Sequence, residues 1–248
     1  MPEIKLQKHI RCVPGDVARY VLIPGDPARA HRIARQLTGA RLVAENREYT
    51  VLTGSYEGVP VSVCSTGIGG PSTAIAMEEL QRVGADTFIR VGSAGARHDS
   101  IPIGSAVIVN AAVRAGGTAR AYLPDIYPAV ASHAVTCALE SAARSLGITP
   151  RVGCSLSRDA YYQQDEGLND VLRGVRDLLV SEMECDTVYV VGARRGLRTG
   201  AVVGTDSNRY LAVQPPLEEL EHLYIGAERQ TIAIALAAVA ILAKRDAG

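Results

Sequence analysis

Short apolar runs alternate with amphipathic stretches along the whole chain, a pattern typical of strands and helices that follow one another in sequence. The apolar runs are too short for helices and predict buried strands, whereas the stretches between them have helical periodicity. The predicted strands are Tyr20–Pro24, Tyr49–Tyr56, Val59–Ser65, Thr87–Val91, Gly104–Val113, Arg151–Leu156 and Leu197–Gly204. The predicted helices begin at Pro27, Pro71, Ala131 and Glu218, and a further helix ends at Arg195 and has Glu182 and Glu184 just before or within its first turn. This alternation predicts an α/β fold, and 248 residues fit a single domain spanning 1–248.

Nearly every unusual residue lies in a loop at the end of a predicted strand, which is where α/β sheets bind ligands. Gly25-Asp26-Pro27 reads as a strand-to-helix turn in which Asp26 caps the helix and Pro27 is its first residue. Ser65 to Ser72 is a glycine loop that leads into a helix, and Thr205 to Arg209 closes the last strand. These loops predict one ligand site at one edge of the sheet.

Arg90 is the strongest local sign of a ligand, because it interrupts a strand that otherwise reads as buried. A buried guanidinium must be paired, and the small residues Gly92, Ser93 and Gly95 that follow would let backbone amides approach an anion. A bound phosphate or carboxylate fits this combination. The alternative is an edge strand from which Arg90 reaches water, and this stretch alone does not decide between the two.

Several other candidates have an ordinary structural explanation as well. Arg29 can be a solvated surface arginine, although in the first turn of a helix it would suit a bound anion. Tyr161 and Tyr162 can stack a flat ring or merely cover the core. Glu182 and Glu184 are acidic residues at a helix start, where such residues are common.

Composition favours a small-molecule ligand. Lys and Arg together number 26, as do Asp and Glu, so no net basic field attracts nucleic acid or an acidic membrane. The cysteines are scattered, which predicts neither a disulfide framework nor a metal site and indicates a reducing, cytoplasmic environment. The N-terminus has no apolar core of a signal peptide, and the apolar run Thr231–Ala243 is short for a membrane span.

Seven segments in order resemble the nucleoside phosphorylase family, which includes hexameric bacterial purine nucleoside phosphorylase, uridine phosphorylase and archaeal methylthioadenosine phosphorylase. The resemblance implies a central mixed, twisted β-sheet flanked by helices. It also implies reversible cleavage of a nucleoside by phosphate. The segments are Gly25-Asp-Pro, Asn46-Arg-Glu48, Ser65 to Ser72, the Arg90 strand, Ser157 to Tyr162, Glu182-Met-Glu-Cys185 and Asp206.

The resemblance also assigns a role to each candidate residue. No cofactor or metal is implied, inorganic phosphate being a co-substrate. The subunits are expected to form a homohexamer, a trimer of dimers, in which His9 and Arg47 reach the neighbouring subunit's site. The implied sets are Gly25, Arg29, Arg47, Arg90 and Ser93 for phosphate; His9, Met183 and Glu184 for ribose; Tyr161, Tyr162, Asp206 and Arg209 for the base; and Asp206 with Arg229 for catalysis.

The base is predicted to be a purine. The predicted substrate is therefore a purine nucleoside: inosine, guanosine, adenosine or methylthioadenosine. Uridine phosphorylases read uracil with a Gln and an Arg, whereas the corresponding positions here are Asp165 and Gly167. Asp206 stands where purine enzymes keep the acid that protonates N7. The alternatives are a uridine phosphorylase, a hydrolytic nucleosidase and a silent nucleoside-binding protein; a nicotinamide dehydrogenase is disfavoured because GxGxxG is absent.

Overall fold

The computed structural model describes residues 6–162 and 165–248 of the chain. Residues 1–5 lie outside the described residues. They belong to the N-terminus, for which the sequence predicts no signal peptide. The strands are β1 (Tyr20–Pro24), β2 (Thr38–Asn46), β3 (Tyr49–Tyr56), β4 (Val59–Cys64), β5 (Thr87–Ala96), β6 (Ala106–Arg114), β7 (Ala129–Val130), β8 (Arg151–Ser157), β9 (Leu178–Glu182) and β10 (Arg198–Ser207). The helices are α1 (Pro27–Ala34), α2 (Gly70–Arg82), α3 (Thr118–Tyr122), α4 (His133–Ser145), α5 (Glu166–Leu172), α6 (Cys185–Arg195) and α7 (Leu217–Ala247).

These strands form one mixed sheet, so the predicted α/β class is confirmed. Its order is β10-β6-β8-β9-β5-β1-β4-β3-β2, with β7 added to β6. Strand β10 also pairs with β5, in parallel, and this second pairing closes β5, β10, β6, β8 and β9 into a ring. The ring was not predicted, because sequence patterns do not report which strands become neighbours.

Helices cover both faces of the sheet, and the two cores between them are aliphatic. Helices α2 and α6 pack on one face, whereas α1, α4 and α7 pack on the other. Helix α7 is long and apolar enough by composition to cross a membrane, but 61% of its most apolar stretch is buried inside the protein. That burial is typical of a core helix.

The fold differs from the sequence prediction in three regions that matter for the site. Strand β5 does not stop at Val91 but continues to Ala96, because β10 pairs with it through the glycines. Strand β9 and the short helix α5, which were not predicted, lie between β8 and α6. The predicted loop Ala115–Pro128 contains α3. As a result, β5 reaches much further along the ligand edge of the sheet than its apolar run indicated.

Candidate active site

One cavity of about 1070 Å³ opens at the carboxyl ends of β1, β5, β9 and β10. Loops that lie far apart in sequence meet here because the parallel strands β1, β5 and β10 end at the same edge of the sheet, and the end of β9 reaches the cavity through its antiparallel pairing with β5. Ten of the residues selected from the sequence line this cavity. They are Gly25, Arg29, Arg90, Ser93, Tyr161, Tyr162, Met183, Glu184, Asp206 and Arg209.

Arg90 is a buried, paired cation and not an edge-strand residue. Strand β5 lies between β1 and β10, and Arg90 is only 4% exposed. Its Nε is 3.2 Å from Glu182 Oε2, and one terminal nitrogen contacts Glu184 Oε2. A side chain at Gly92 would approach Arg90 Cζ to 2.8 Å, so glycine is needed for the guanidinium to lie against the strand. The edge-strand alternative is therefore wrong.

The two neighbouring glutamates have different tasks. Glu182 Oε2 accepts hydrogen bonds from the backbone N–H groups of Glu184 at 2.8 Å and Cys185 at 2.9 Å, so this carboxylate caps helix α6. Glu184 points into the cavity and its Oε1 accepts a 2.6 Å hydrogen bond from the N–H of Gly69. The helix-start interpretation thus holds for Glu182 but not for Glu184.

The pKa values of these glutamates move in opposite directions. Burial alone would raise both, since it disfavours charge. For Glu182 the charge of Arg90 and several hydrogen-bond donors outweigh burial, so its pKa is lowered. For Glu184 burial, together with the nearby charge of Glu182, raises the pKa despite Arg90. Glu182 therefore carries the negative charge that neutralises Arg90, and Glu184 is the carboxyl group that gains a proton more readily.

The guanidinium of Arg29 is a second cation at the same end of the cavity. Asp26 caps α1 by accepting from the N–H groups of Ala28 at 2.9 Å and Arg29 at 3.0 Å, as the sequence predicted. The side chain of Arg29 is held by Glu228 Oε2 at 2.9 Å and contacts the hydroxyl of Tyr224. Burial would raise the pKa of Glu228, but hydrogen bonds from Arg32 and Arg29 lower it. Two arginines with fixed orientations therefore face the glycine turns.

Two glycine turns form the floor beside these arginines. The N–H of Gly67 donates to the carbonyl of Gly25 at 2.9 Å, and a side chain at Gly25 would meet Gly67 O at 3.0 Å. Gly67 has a φ of +69°, which disfavours other residues. This close approach leaves no room for side chains between the turns, so a small anion can reach the backbone.

The opposite end of the cavity is more open. Tyr161 is 68% and Tyr162 95% exposed, and their rings meet edge to face with centroids 5.0 Å apart. They do not cover the core, which removes the ordinary explanation for them. Asp206 lies near the end of β10, at an irregularity between the paired residues Thr205 and Ser207, and accepts a 2.7 Å hydrogen bond from the hydroxyl of Ser207. Flat aromatic surfaces and a carboxyl group thus lie together at this end.

Three arginines that sequence reasoning missed also line the cavity: Arg97, Arg158 and Arg32, the last of which pairs with Asp26 and Glu228. Arg97 follows β5 and is 7% exposed, and Arg158 follows β8. Burial lowers the pKa of Arg97; the nearby Tyr210 opposes this effect, and the positive charges of Arg158 and Arg209 add to it. The alternation Ser93, Gly95, Arg97 was a signal for the first of them, had β5 been predicted at its full length.

Three predicted residues lie outside the cavity. His9 binds the buried Glu79, and its ring Nδ1 lies 2.6 Å from Glu79 Oε1. Arg47 is an exposed turn residue with a φ of +57°. Arg229 is exposed on α7, and the helix turns Glu228 inward instead, so the chain does not bring Arg229 to Asp206. Donation of His9 and Arg47 to a neighbouring subunit stays a prediction.

Metal-ligating side chains do not cluster in the described residues, where no group of three or more His, Cys, Asp or Glu could hold an ion. The polar groups that line the cavity are mainly arginines, carboxylates and backbone amides. Such a set can bind an anion, hold hydroxyl groups and stabilise developing charge.

Comparison with known proteins gives a consistent family. Residues 19–241 match the model of the "Phosphorylase superfamily". The chain is 46% identical to a uridine phosphorylase of Thermococcus kodakarensis, over 97% of this chain and 88% of that one. It is 41% identical to a guanosine phosphorylase of Halorubrum lacusprofundi, over 82% and 83%. The solved uridine phosphorylase of Vibrio fischeri superimposes with a TM-score of 0.87 at 32% identity, covering 97% of this chain and 99% of that one.

Proposed function

The chain belongs to the phosphorylase superfamily and is a nucleoside phosphorylase, and we propose that it uses inorganic phosphate to cleave a nucleoside reversibly into free base and ribose 1-phosphate. One observation carries the assignment of roles: Arg29 and Arg90 converge with two glycine turns at one end of a cavity whose middle is lined by Glu184. Arginines and backbone amides suit phosphate, and a carboxylate suits ribose hydroxyl groups.

In this reaction a phosphate oxygen forms a bond to C1′ of the ribose while the bond from C1′ to the base nitrogen breaks. The electron pair of the broken bond goes to the base, which then takes up a proton. Arg29 and Arg90 orient the phosphate next to the sugar, which removes the entropy cost of bringing the reactants together. Glu184, with Met183 beside it, holds the ribose hydroxyl groups.

For the base, uridine is the better supported candidate. The sequence prediction of a purine is not confirmed, since relatives in the comparison are mostly named uridine phosphorylase. The purine argument rested on Asp165 and Gly167, which cannot donate to uracil as a Gln and an Arg would. Arg97 and Arg158 line the cavity from other strands and offer such donors, so that argument loses its force.

A purine nucleoside such as guanosine or inosine is the second candidate, favoured by Asp206. This carboxyl group lines the base end of the cavity, where it could donate a proton to N7 of a purine. The similarity to the guanosine phosphorylase agrees with this candidate.

We also propose that the active unit is a cytoplasmic homohexamer built from dimers, with His9 and Arg47 completing the neighbour's site. Both residues lie outside their own chain's cavity. Ile68, at the glycine loop, is 79% exposed, and β2 at the edge of the sheet carries Leu42 at 50% exposure. Apolar side chains at the cavity rim and on an edge strand suit burial by a second copy.

The test is a turnover screen over uridine, thymidine, inosine, guanosine, adenosine and methylthioadenosine, each with and without phosphate. We expect ribose 1-phosphate to form only when phosphate is present, with uridine cleaved best. Glu184→Ala serves as the inactive control for contaminating enzymes. Equal cleavage in phosphate-free buffer would instead identify a hydrolytic nucleosidase, and nucleoside binding without turnover would identify a binding protein.

A further inference from the structure

Arg97 is a buried cation whose charge is not balanced by the protein around it. The residue is 7% exposed, and its NH1 group donates to the amide oxygen of Asn169 at 3.1 Å. In the part of the chain that the structure describes, no carboxylate lies within 4.0 Å of Arg97 or Arg158. A buried guanidinium with only a neutral partner is costly, so such an arrangement indicates a ligand group that accepts hydrogen bonds.

The position of Arg97 along β5 fixes which part of the substrate it would meet. Ser93, Gly95 and Arg97 alternate on one face of the extended chain, and at about 3.3 Å per residue Arg97 lies about 13 Å beyond Ser93. Gly95 pairs with Ser207, next to Asp206, so the strand passes the base end of the cavity before it reaches Arg97. A base bound beside Asp206 would therefore present to Arg97 the edge that is distant from its ribose.

Arg158 approaches the same place from β8. Its backbone N–H donates to the carbonyl of Glu182 at 3.1 Å, and its NH2 group donates to the hydroxyl of Ser181 at 2.8 Å. Burial and the charge of Arg209 lower the pKa of Arg158, while Tyr210 and Glu166 oppose this effect. Arg209, on the other side of the cavity, stacks over the ring of Tyr210 at 5.2 Å. Three guanidinium groups from three loops thus line one cavity, close enough for the charges of Arg158 and Arg209 to act on Arg97.

We propose that Arg97 and Arg158, together with Arg209, recognise a carbonyl oxygen on the far edge of the base and so select oxo bases over amino bases. This proposal rests on the proposed phosphorolysis. A guanidinium has hydrogen-bond donors and no acceptor, so it pairs with the carbonyl of uracil, hypoxanthine or guanine and opposes the amino group of cytosine or adenine. The departing base takes the electron pair of the broken bond, which spreads onto that carbonyl oxygen, and the arginines stabilise the resulting charge.

Both bases named among the relatives, those of a uridine and a guanosine phosphorylase, fit this selection. Uracil and guanine differ in ring number but share a carbonyl oxygen on the edge distant from the sugar. The other carboxylates that line the cavity, apart from Asp206, are engaged by Arg32 or Arg90 and do not neutralise the cluster. The cluster therefore discriminates on the polarity of the base edge and not on ring size.

The experiment compares two matched substrate pairs, uridine with cytidine and inosine with adenosine, by kcat/KM for phosphorolysis. Wild-type protein is expected to prefer the oxo member at least about 100-fold, since each charge-assisted hydrogen bond contributes about 10- to 100-fold. Arg97→Met and Arg158→Met should each reduce the ratio about 10-fold or more, whereas Arg97→Lys, which keeps charge and donors, should retain most of it. The ratio is measured on one preparation, so a partly unfolded variant does not distort it.

The control is Arg144→Met, which removes an exposed arginine paired with Glu140 on α4 and should leave the ratio unchanged. Equal rates for oxo and amino substrates, or a high ratio that both Met variants preserve, would overturn the proposal while leaving phosphorolysis intact. No turnover of any nucleoside would overturn the proposed function instead. In that case calorimetric binding of uracil against cytosine and hypoxanthine against adenine decides: a preference for oxo bases lost in Arg97→Met supports the proposal, and its absence refutes it.

Discussion

Asp186 is a buried carboxyl group that the fold leaves incompletely satisfied, and we predict that Asp186→Asn stabilises the protein. Asp186 is 1% exposed in the first turn of α6, and its Oδ2 has no hydrogen-bond partner among the described residues. Its Oδ1 accepts hydrogen bonds from the N–H of Thr187 at 2.5 Å and the hydroxyl of Thr187 at 3.2 Å. Asparagine keeps that acceptor and replaces the unsatisfied oxygen with a neutral amide.

The size of the effect follows from the pKa of Asp186. Burial, followed by the charge of Glu182, raises this pKa from 3.8 to about 6. Because one pKa unit corresponds to about 1.4 kcal/mol, ionising Asp186 in the folded protein costs about 3 kcal/mol. The substitution should therefore raise the free energy of unfolding by up to about 3 kcal/mol at neutral pH, or the Tm by about 6 to 12 °C.

The same pKa fixes the pH dependence. The folded chain binds the proton of Asp186 more tightly than the unfolded chain does, so below the ordinary value of 3.8 this group gives wild type its full contribution to stability. That contribution is lost as the pH rises from there through about 6, when the folded carboxyl group must ionise. Wild type and Asp186→Asn should therefore differ little at about pH 4 and differ most at neutral pH.

The assay is thermal and denaturant unfolding of both proteins across this pH range. Asp170→Asn is the matched control, because Asp170 is exposed and pairs with Arg173 at 2.9 Å. Its effect should stay within about 0.5 kcal/mol. A difference between wild type and Asp186→Asn that is the same at acidic and neutral pH, or a variant that is less stable at neutral pH, would refute the reasoning.

The remaining predictions concern the reaction. Arg90→Ala should weaken phosphate use by about 2 kcal/mol or more, seen in the KM for phosphate, and unchanged phosphate saturation would make Arg90 structural. Mixing inactive Arg47→Ala and Glu184→Ala subunits should restore some activity, because mixed oligomers contain some intact shared sites. If no activity returns although subunit exchange is proven, the sites are not shared. Asp206→Asn should reduce purine nucleoside turnover about 100-fold by removing a general acid, with the KM for phosphate nearly unchanged. Purine nucleoside turnover equal to that of wild type would show that Asp206 is not a general acid.

Local chemistry explains what the sequence could predict. The cap of α1 by Asp26 and the positive φ of Gly67 depend on neighbouring residues and steric rules, so features of this kind can be predicted from the sequence. The apolar runs identify most of the strands because burial favours aliphatic side chains whatever the topology. The resemblance brought together the ten cavity residues, although their individual roles stay predictions.

Tertiary structure decided which side chains meet. Arg29 and Glu228 are 199 residues apart in sequence, and only the packing of α7 turns Glu228 inward and Arg229 outward. Arg97 and Arg158 come together because β9 pairs with both β5 and β8, a topology that no local pattern specifies.

The sequence by itself determined the alternation of strands and helices, the glycine turns and the presence of an arginine in a buried strand, because these depend on short-range sterics and burial. Only the fold decided that Glu182 caps α6 while Glu184 faces the cavity, since the two differ by two positions at the end of a strand. It also decided that β5 extends to Ala96 and brings Arg97 to the lining of the cavity. These outcomes depend on strand order, register and helix phase, which are set by contacts between residues distant in sequence.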